Sequence, residues 1–248
     1  MDIEKKVDFK VYANNYDNHR TADLKLIDIA IDCLNIDTTL KILDFGCGTG
    51  NYMEALKKRD YINLFGVDIS DEMCKIAFEK TGAIIKTGSH LNIPFDNDHF
   101  DGITVIDVIH FVNEIQDLFN EFHRISKTNG RIFIATQSHA QLESRIYSKY
   151  FPTTTEIDKL RHHTINNIIS VAESRGLSLI SVKDYLNNTD FLIDENYLNL
   201  IKNKSFYILG LLSESEFNTG IERLQFDLKD GDFIAKFPGR TIITLEKK

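Results

Sequence analysis

Several features that mark common protein classes are scarce in this chain. Its 248 residues include three cysteines and three prolines, and no Cys-x-x-Cys pair occurs. Odd cysteine usage without ligand spacing is typical of a reducing compartment and predicts no disulfide or metal framework. No apolar run approaches the roughly 20 residues that span a bilayer, and the charged residues 1–6 do not resemble a signal peptide. We therefore expect a soluble, cytoplasmic protein that has no membrane partner.

Excess positive charge is also missing. The chain has 29 lysines and arginines against 37 aspartates and glutamates, a formal net charge of −8. Affinity for nucleic-acid phosphate comes from clustered Lys and Arg, so this balance argues against a nucleic-acid partner. No internal repeat or low-complexity linker is present. A chain of this length suits one α/β domain with insertions.

Short apolar runs alternate with amphipathic segments along most of the sequence, which predicts a doubly wound, parallel α/β sheet. Strands are predicted at residues 41–45, 64–67, 84–86, 100–107, 131–136, 178–182 and 241–246. Helices are predicted at residues 21–35, 52–58, 71–80, 115–126 and 165–175, with Ser70 capping the third and Gly176 ending the last.

Two stretches do not follow this alternation. We predict a core made of residues 1–139, 164–186 and 241–248, and insertions at residues 140–163 and 187–240, the second of which is rich in Phe and Tyr. Ligands of open α/β sheets bind beyond the carboxyl ends of the strands. The insertions are therefore expected to form a helical lid that binds the substrate.

The most informative segment is Ile-Leu-Asp-Phe-Gly-Cys-Gly-Thr-Gly-Asn at residues 42–51. Glycine at positions 46, 48 and 50 permits positive φ and lets the backbone pass close to a ligand. A second apolar run ends in Asp68, an acid at the tip of the next predicted strand. In a βαβ unit such an acid can accept hydrogen bonds from both hydroxyls of a ribose. The pair of features predicts a bound nucleoside.

The details of this segment favour S-adenosylmethionine over NAD. A dinucleotide fingerprint needs glycine at position 51, where this chain has Asn51. Asp44 would face the ammonium group of an amino-acid moiety, whereas it would repel a pyrophosphate. Ile69 and Met73, which follow Asp68, are expected to flank the adenine.

This half of the chain resembles the class I S-adenosylmethionine-dependent methyltransferases, in particular the type 11, UbiE-like group that acts on small molecules. The resemblance is carried by Leu-Asp-Phe-Gly-Cys-Gly-Thr-Gly at 43–50 and Gly-Val-Asp at 66–68. Similar segments lie at 93–101, at 107–112 and at Tyr16-Asp17-Asn18-His19-Arg20. It implies a seven-stranded Rossmann-like sheet, mostly parallel with an antiparallel C-terminal strand. It also implies a small-molecule acceptor that is methylated on O, N or C.

The resemblance, together with the residues themselves, assigns a set of positions to the cofactor. Members of the family usually have an acid near the third strand that meets the adenine, and here that segment is Gly88-Ser89-His90. The predicted cofactor-binding residues are Tyr16, Arg20, Asp44, Gly46, Cys47, Gly48, Asn51, Asp68, Ile69, Met73, Ser89, His90 and Asp107.

Methyl transfer from a sulfonium needs mainly alignment, and a general base when the acceptor is a hydroxyl or an acidic carbon. Family position makes His110 and His139 the candidate bases, although a histidine among the apolar neighbours of His110 is more often a core residue. The pair His162-His163 lacks a carboxylate spacing that would complete a metal site. Aromatic residues of the insertions either line an acceptor pocket or pack onto the sheet. They are Tyr147, Tyr150, Phe151, Phe191, Tyr197, Phe206 and Tyr207.

Other functions remain open at this stage. One is an NAD-dependent Rossmann oxidoreductase, which Asp44 and Asn51 disfavour. Another is a protein that binds S-adenosylmethionine without catalysis. Methylation of a nucleic-acid base is disfavoured because Ile-Asp-Val-Ile at 106–109 stands where an Asn-Pro-Pro-Tyr-type tetrapeptide is expected.

Overall fold

The computed structural model describes residues 21–186 and 190–248, and these form two compact units. The core unit comprises the described residues up to Thr136, with Ile165–Lys183 and Ile242–Lys248. The insertion unit comprises the described residues of Gln137–Thr164 and Asp184–Thr241. None of the helices in these parts of the chain is long and apolar enough to cross a membrane.

Seven strands form the main sheet. They are β1 (Ile42–Phe45), β2 (Leu64–Asp68), β3 (Ile84–Thr87), β4 (Phe100–Ile106), β5 (Ser126–Thr136), β6 (Leu177–Tyr185) and β9 (Arg240–Lys247), in the order β3-β2-β1-β4-β5-β9-β6. The pairs β1–β2, β2–β3, β1–β4 and β4–β5 are parallel. The chain turns back at β1, so the carboxyl ends of β1 and β4 border the switch point where ligands of such sheets bind.

Strand β9 runs against its neighbour β5. Lys247, at the end of β9, donates from Nζ to the carbonyl oxygen of Ser126, the first residue of β5, at 2.8 Å. Arg131 and Glu246 form an ion pair one step further along, at 3.0 Å. The predicted doubly wound sheet, mostly parallel with an antiparallel C-terminal strand, is confirmed.

The helices of the core unit begin and end where local chemistry directs them. They are α1 (Leu24–Leu34), α2 (Asn51–Lys57), α3 (Asp71–Thr81), α4 (Ile115–Ile125) and α8 (Ile165–Ser174). The Ser70 hydroxyl accepts from the Met73 amide as the predicted N-cap of α3. At the other end Gly82 adopts φ 64° and stops the helix. The last predicted helix ends one residue early, at Ser174, and Gly176 follows with φ 82°.

The core lies between the sheet and its helices. Strands β1, β4 and β5 contribute residues without solvent exposure, among them Leu43, Ile103, Val105, Ile132 and Ile134. Helix α4 covers them with an apolar face that includes Phe119 and Phe122, and the Phe122 ring meets that of Phe45 edge to face at 5.3 Å. This packing fixes β1, and with it the start of the glycine segment.

The insertion unit has its own core. Its helices are α5 (His139–Glu143), α6 (Ile146–Tyr150), α7 (Pro152–Arg161), α9 (Glu195–Lys202) and α10 (Glu214–Leu228), and β7 (Asp190–Ile193) pairs antiparallel with β8 (Phe233–Lys236). Pro152 occupies the first turn of α7, a position that needs no N–H donor. The buried residues of this core include Tyr150, Phe151, Tyr197 and Phe217.

Candidate cofactor site

The segment after β1 makes a turn that depends on glycine. Gly46, Gly48 and Gly50 have φ of 69°, 51° and 80°, values that residues with a Cβ rarely adopt. The amides of Gly46 and Cys47 both donate to the carbonyl oxygen of Val67, at 2.8 and 3.1 Å. The turn is thereby held against the end of β2 and leads directly into α2.

Glycine is also the only residue type that fits at position 46 for steric reasons. A Cβ built on Gly46 would lie 2.3 Å from Cγ2 of Val108. Val108 follows β4 and precedes a short 3₁₀ turn, Ile109–Phe111. The turn after β1 and the turn after β4 therefore approach each other at a distance that excludes any side chain at position 46.

Asp68 fastens the glycine turn to the tip of β2. One carboxylate oxygen accepts from the Gly48 amide at 2.9 Å and the other accepts from the Ser70 amide at 3.0 Å. Burial raises the pKa of Asp68, and the amide hydrogen bonds from Ser70 and Gly48 oppose that rise. Each oxygen retains a second lone pair, so the carboxylate can still accept hydrogen bonds from two ribose hydroxyls.

Asp44 lies in the same region with a different environment. It is 5% exposed, and its Oδ1 accepts from the Thr104 hydroxyl at 2.8 Å. Burial raises the pKa of Asp44 to about 7, helped by the Asp68 carboxylate, while the Thr104 hydrogen bond opposes the rise. A buried acid that titrates near neutral pH is poised to respond to a cation. Cys47 is buried too, and burial raises the pKa of its thiol.

The residues that follow these two acids differ in their hydrogen bonds and in their exposure to solvent. Asn51, the first residue of α2, accepts at Oδ1 from Nζ of Lys80 at 2.6 Å. Ile69 is 67% exposed, whereas Met73 is 2% exposed and packs into the core. In this structure Ile69 presents its surface to solvent and Met73 does not. Contact of these side chains with a cofactor stays a prediction.

The segment after β3 carries polar groups without an acid. The Ser89 hydroxyl accepts from the Leu91 amide at 3.3 Å. The Nε2 atom of His90 is buried and makes no hydrogen bond among the described residues, and the Glu114 carboxylate lies 3.8 Å from it. The His90 side chain is thus half-buried, with Nε2 turned to the Glu114 side of this segment.

The segment after β4 departs from its predicted extent. Asp107 was predicted as the last residue of the strand, but β4 ends at Ile106. Asp107 adopts φ 53° and its amide donates to the carbonyl oxygen of Ala135 at 3.0 Å. The left-handed residue turns the chain out of the sheet and directs it into the 3₁₀ turn, so Asp107 lies at the carboxyl edge.

The two candidate bases fall in different units. His110 belongs to the core unit, where its half-buried ring contacts that of Phe111 at 4.2 Å. His139 belongs to the insertion unit, and its Nε2 lies 2.9 Å from the carbonyl oxygen of His162. Because a carbonyl only accepts, that nitrogen carries the proton and Nδ1 would act as the base. Tyr16 and Arg20 lie outside the described residues.

The adjacent histidines His162 and His163 follow α7 in the insertion unit. His162 is 5% exposed, and burial lowers its pKa to about 4. Among the residues that the structure describes, no group of three His, Cys, Asp or Glu side chains could hold a metal ion.

Sequence reasoning missed two residues that shape the site, Thr104 and Val108. Thr104 interrupts an apolar strand and pairs with Asp44 from 60 positions away. A lone polar residue within a buried strand is a signal that could have found it. Val108 has no such signal, since only the fold brings its side chain against Gly46.

The sheet order, the glycine turn and the two acids define the class I methyltransferase fold. A structure from Anabaena variabilis, described as a methyltransferase of an antibiotic biosynthesis pathway, superposes with a TM-score of 0.74 at 23% identity, covering 91% of this chain and 98% of that one. Geranyl diphosphate C-methyltransferase from Streptomyces coelicolor, solved with S-adenosylhomocysteine, gives a TM-score of 0.60 at 17% identity, covering 90% and 79%. At these identities the likeness shows the fold.

Sequence comparison points to the same kind of protein. Residues 43–134 match the family model of the methyltransferase domain, and the predicted resemblance is confirmed. Demethylmenaquinone methyltransferase from Staphylococcus epidermidis is 29% identical over 126 residues, which are 48% of this chain and 52% of that protein. For 24-methylenesterol C-methyltransferase 2 from Arabidopsis thaliana the identity is 26% over 48% of this chain and 34% of that protein. The chain thus spans about half the length of the first of these relatives and about a third of the second.

Proposed function

We propose that this protein transfers a methyl group from S-adenosylmethionine to a small-molecule acceptor, on O, N or C. The observation that carries the proposal is the glycine turn held between two acids, Asp44 and Asp68, inside the segment that matches the methyltransferase domain. A buried acid beside the turn suits an ammonium group and opposes a pyrophosphate. This charge pattern supports the sulfonium cofactor over a dinucleotide.

The residues fit the cofactor at three points. Asp68 keeps acceptor capacity on both oxygens for the ribose hydroxyls. Half-exposed Gly46 and Gly48 carry no side chain that would obstruct the amino-acid moiety. Half-buried His90 follows β3, where the resemblance places the contact with the adenine. S-adenosylmethionine, when bound, supplies a methyl group already activated by the positive sulfur.

The protein's own contribution is then alignment of the acceptor and, for acidic acceptors, removal of a proton. His110 is the favoured base because it follows β4 within the same unit as both acids. His139, in the insertion unit, is the second candidate. We assign acceptor selection to residues 140–163 and 187–240, since the matched domain ends at residue 134. Cytoplasmic location stays a prediction from the sequence.

The test is a calorimetric titration of the full chain with S-adenosylmethionine, S-adenosylhomocysteine and NAD. We expect micromolar binding of the first two, and at least tenfold weaker binding by Asp68→Ala, because two hydrogen bonds to a charged group are lost. Asp28→Ala is the matched control, since Asp28 is an exposed acid that pairs with Arg59. Binding of NAD alone would overturn the proposal.

Catalysis is tested separately from binding. His110→Ala and His139→Ala are assayed for methyl transfer after their cofactor affinity has been measured. Loss of transfer at unchanged cofactor affinity identifies the base. A chain that binds S-adenosylmethionine but methylates none of a broad acceptor panel would be a cofactor-binding protein without catalysis.

A further inference from the structure

An ion pair on helix α4 is attached to the segment that connects β3 and β4. Glu121 and Arg124 lie three residues apart on one face of α4, and their side chains share two hydrogen bonds of 2.7 Å. The Glu121 carboxylate also accepts from the Ile93 amide at 2.7 Å. The Arg124 guanidinium donates to the carbonyl oxygens of Ile93 and Phe95, both at 2.8 Å. We call Glu121 and Arg124 the clamp.

Arg124 uses all of its hydrogen-bonding capacity in the clamp. Arginine has five N–H donors. Arg124 places two on the Glu121 carboxylate, two on the carbonyl oxygens and one on Oδ1 of Asn97 at 3.0 Å. The Arg124 hydrogen bonds hold the pKa of Glu121 below its ordinary value, so the pair stays ionised at neutral pH. A lysine ammonium at position 124 cannot reach all of these acceptors at once.

A tight turn of four residues lies directly before Ile93. Its first and last residues, Ser89 and Asn92, pair across it in a single bridge, and the Asn92 amide donates to the Ser89 carbonyl oxygen at 3.1 Å. Half-buried His90 and exposed Leu91 lie between them. Ile93 itself is fully buried in the core. The clamp therefore fixes this Ser89–Asn92 turn at the point where the chain enters the core.

The other end of the turn is attached to the proposed ribose site. The Gly88 amide donates to the carbonyl oxygen of Asp68 at 2.9 Å, so the turn begins against the residue whose carboxylate is proposed to bind the ribose. A Cβ on Gly88 would lie 2.6 Å from Cδ of Pro94, so the two ends of the segment are in close contact. Since a nucleobase is bonded directly to its ribose, a ribose on Asp68 places the base beside the segments that border the tip of β2. The Ser89–Asn92 turn is one of these segments.

We infer that Glu121 and Arg124 are positioning residues of the candidate cofactor site, which hold the Ser89–Asn92 turn where it recognises the adenine base. Neither side chain has to touch the cofactor, since the clamp acts through the backbone that follows the turn. The inference rests on the proposed function, because it assigns base recognition within that site. Loss of the clamp should weaken the choice of base and leave the ribose contact of Asp68 intact.

The test measures the ratio of the affinities for S-adenosylhomocysteine and S-inosylhomocysteine, which differ only in the base. We expect calorimetric titrations of the full wild-type chain to give a ratio of about ten or more, because the two bases differ in their donors and acceptors. Arg124→Gln should lower the affinity for S-adenosylhomocysteine about tenfold and bring the ratio below about three, since a loosened turn binds both bases alike. Arg124→Lys and Glu121→Gln keep part of the contacts and should give intermediate ratios.

Two further variants control the test. Arg131→Gln breaks an ion pair of similar burial, since the side chains of Arg131 and Glu246 are 26% and 19% exposed and those of the clamp arginine and glutamate are 31% and 15% exposed. Arg131 pairs with Gly102 near the start of β4, away from the carboxyl ends of the strands, so both affinities should stay unchanged. Asp68→Ala should weaken both ligands alike and keep their ratio.

An unchanged ratio in Arg124→Gln would overturn the inference, as would a wild-type chain that does not distinguish the two ligands. If Arg124→Gln does not fold, unchanged ratios in both Arg124→Lys and Glu121→Gln would overturn it. An equal fall in the ratio for Arg131→Gln would identify an effect of lost stability instead of positioning. Absence of S-adenosylhomocysteine binding to the wild-type chain would refute the proposed function itself, whereas an unchanged ratio at micromolar affinity refutes the role of the clamp alone.

Discussion

Thr104 and Asp44 lie opposite each other on neighbouring parallel strands, and the threonine hydroxyl donates to the aspartate carboxylate at 2.8 Å. The hydrogen bond holds an acid in a buried position where its charge is costly. Burial affects the pKa of Asp44 more than this hydrogen bond does, since that pKa is raised to about 7. Asp44 is therefore a source of pH dependence at the candidate cofactor site.

The first prediction concerns stability without cofactor. The folded-state pKa of Asp44 lies above its ordinary value of 3.8, so its contribution to stability is present below pH 3.8 and is lost as the pH rises through 7. Asp44→Asn removes the buried charge, so it should stabilise the protein by about 1–3 kcal/mol at pH 8. The gain should shrink at pH 5. Urea unfolding at both pH values measures it, with Asp28→Asn as an exposed control.

The second prediction concerns cofactor affinity against pH. A cation bound beside Asp44 favours the ionised carboxylate and lowers its pKa. Above pH 7 the carboxylate is already ionised and binding moves no proton, whereas below pH 7 binding releases the proton of Asp44. Affinity for S-adenosylmethionine should fall by up to about tenfold per pH unit below 7. Calorimetry from pH 5.5 to 8.5 checks this expectation.

Two variants of this site control the pH experiment. Thr104→Val removes the hydrogen bond that lowers the pKa of Asp44, so the fall in affinity should begin at higher pH. Asp44→Asn should bind weakly with little pH dependence. An unchanged pH profile in Asp44→Asn would show that another group titrates.

The third prediction concerns the glycine turn. Gly46→Ala requires φ near 69° and places Cβ 2.3 Å from Cγ2 of Val108, so it should destabilise the protein by about 1–3 kcal/mol. Gly210→Ala is the control, because a Cβ there meets nothing within 4 Å. Adding Val108→Ala to Gly46→Ala should recover part of the loss, since it relieves the contact and leaves the backbone strain. Equal melting temperatures for the two glycine variants would contradict the prediction.

The fourth prediction concerns the buried ion pairs of the insertion unit. Asp158→Asn leaves Arg145 and Arg161 without their shared carboxylate and should cost about 3–5 kcal/mol. Glu54→Gln breaks a pair whose side chains are 69% and 40% exposed, and it should cost less than about 0.5 kcal/mol. Chemical denaturation of both variants makes the comparison, and similar losses would refute the assignment of a buried network.

The ends of a helix could be predicted from the sequence where neighbouring residues determine them. Ser70 caps α3 and Gly82 ends it, as side-chain oxygens and backbone freedom require. The start of β5 was missed by five residues, since Ser-Lys-Thr-Asn-Gly at 126–130 has the composition of a turn. In the fold Ser126 pairs with Phe100 of β4. That partner is too remote for any local pattern to indicate.

The insertion unit was the least predictable part. Strands β7 and β8 pair although α9 and α10 separate them in the chain. The sequence analysis predicted neither strand. Tyr150 and Phe151 are buried in its core, while Tyr147 and Phe206 keep exposed ring surface. Packing in the fold separates these core residues from the partly exposed ones.

The sequence by itself determined the glycine turn, the two acids at the strand tips and the alternation that builds the sheet, because residue types at short spacings indicate each of them. Tertiary structure alone decided how those groups behave. It set Thr104 against Asp44 across 60 positions, closed the space over Gly46 with Val108, and left the Tyr197 hydroxyl buried without a partner among the described residues. The pKa of an acid and the pairing of a phenol depend on neighbours that the fold brings together, and no local pattern encodes them.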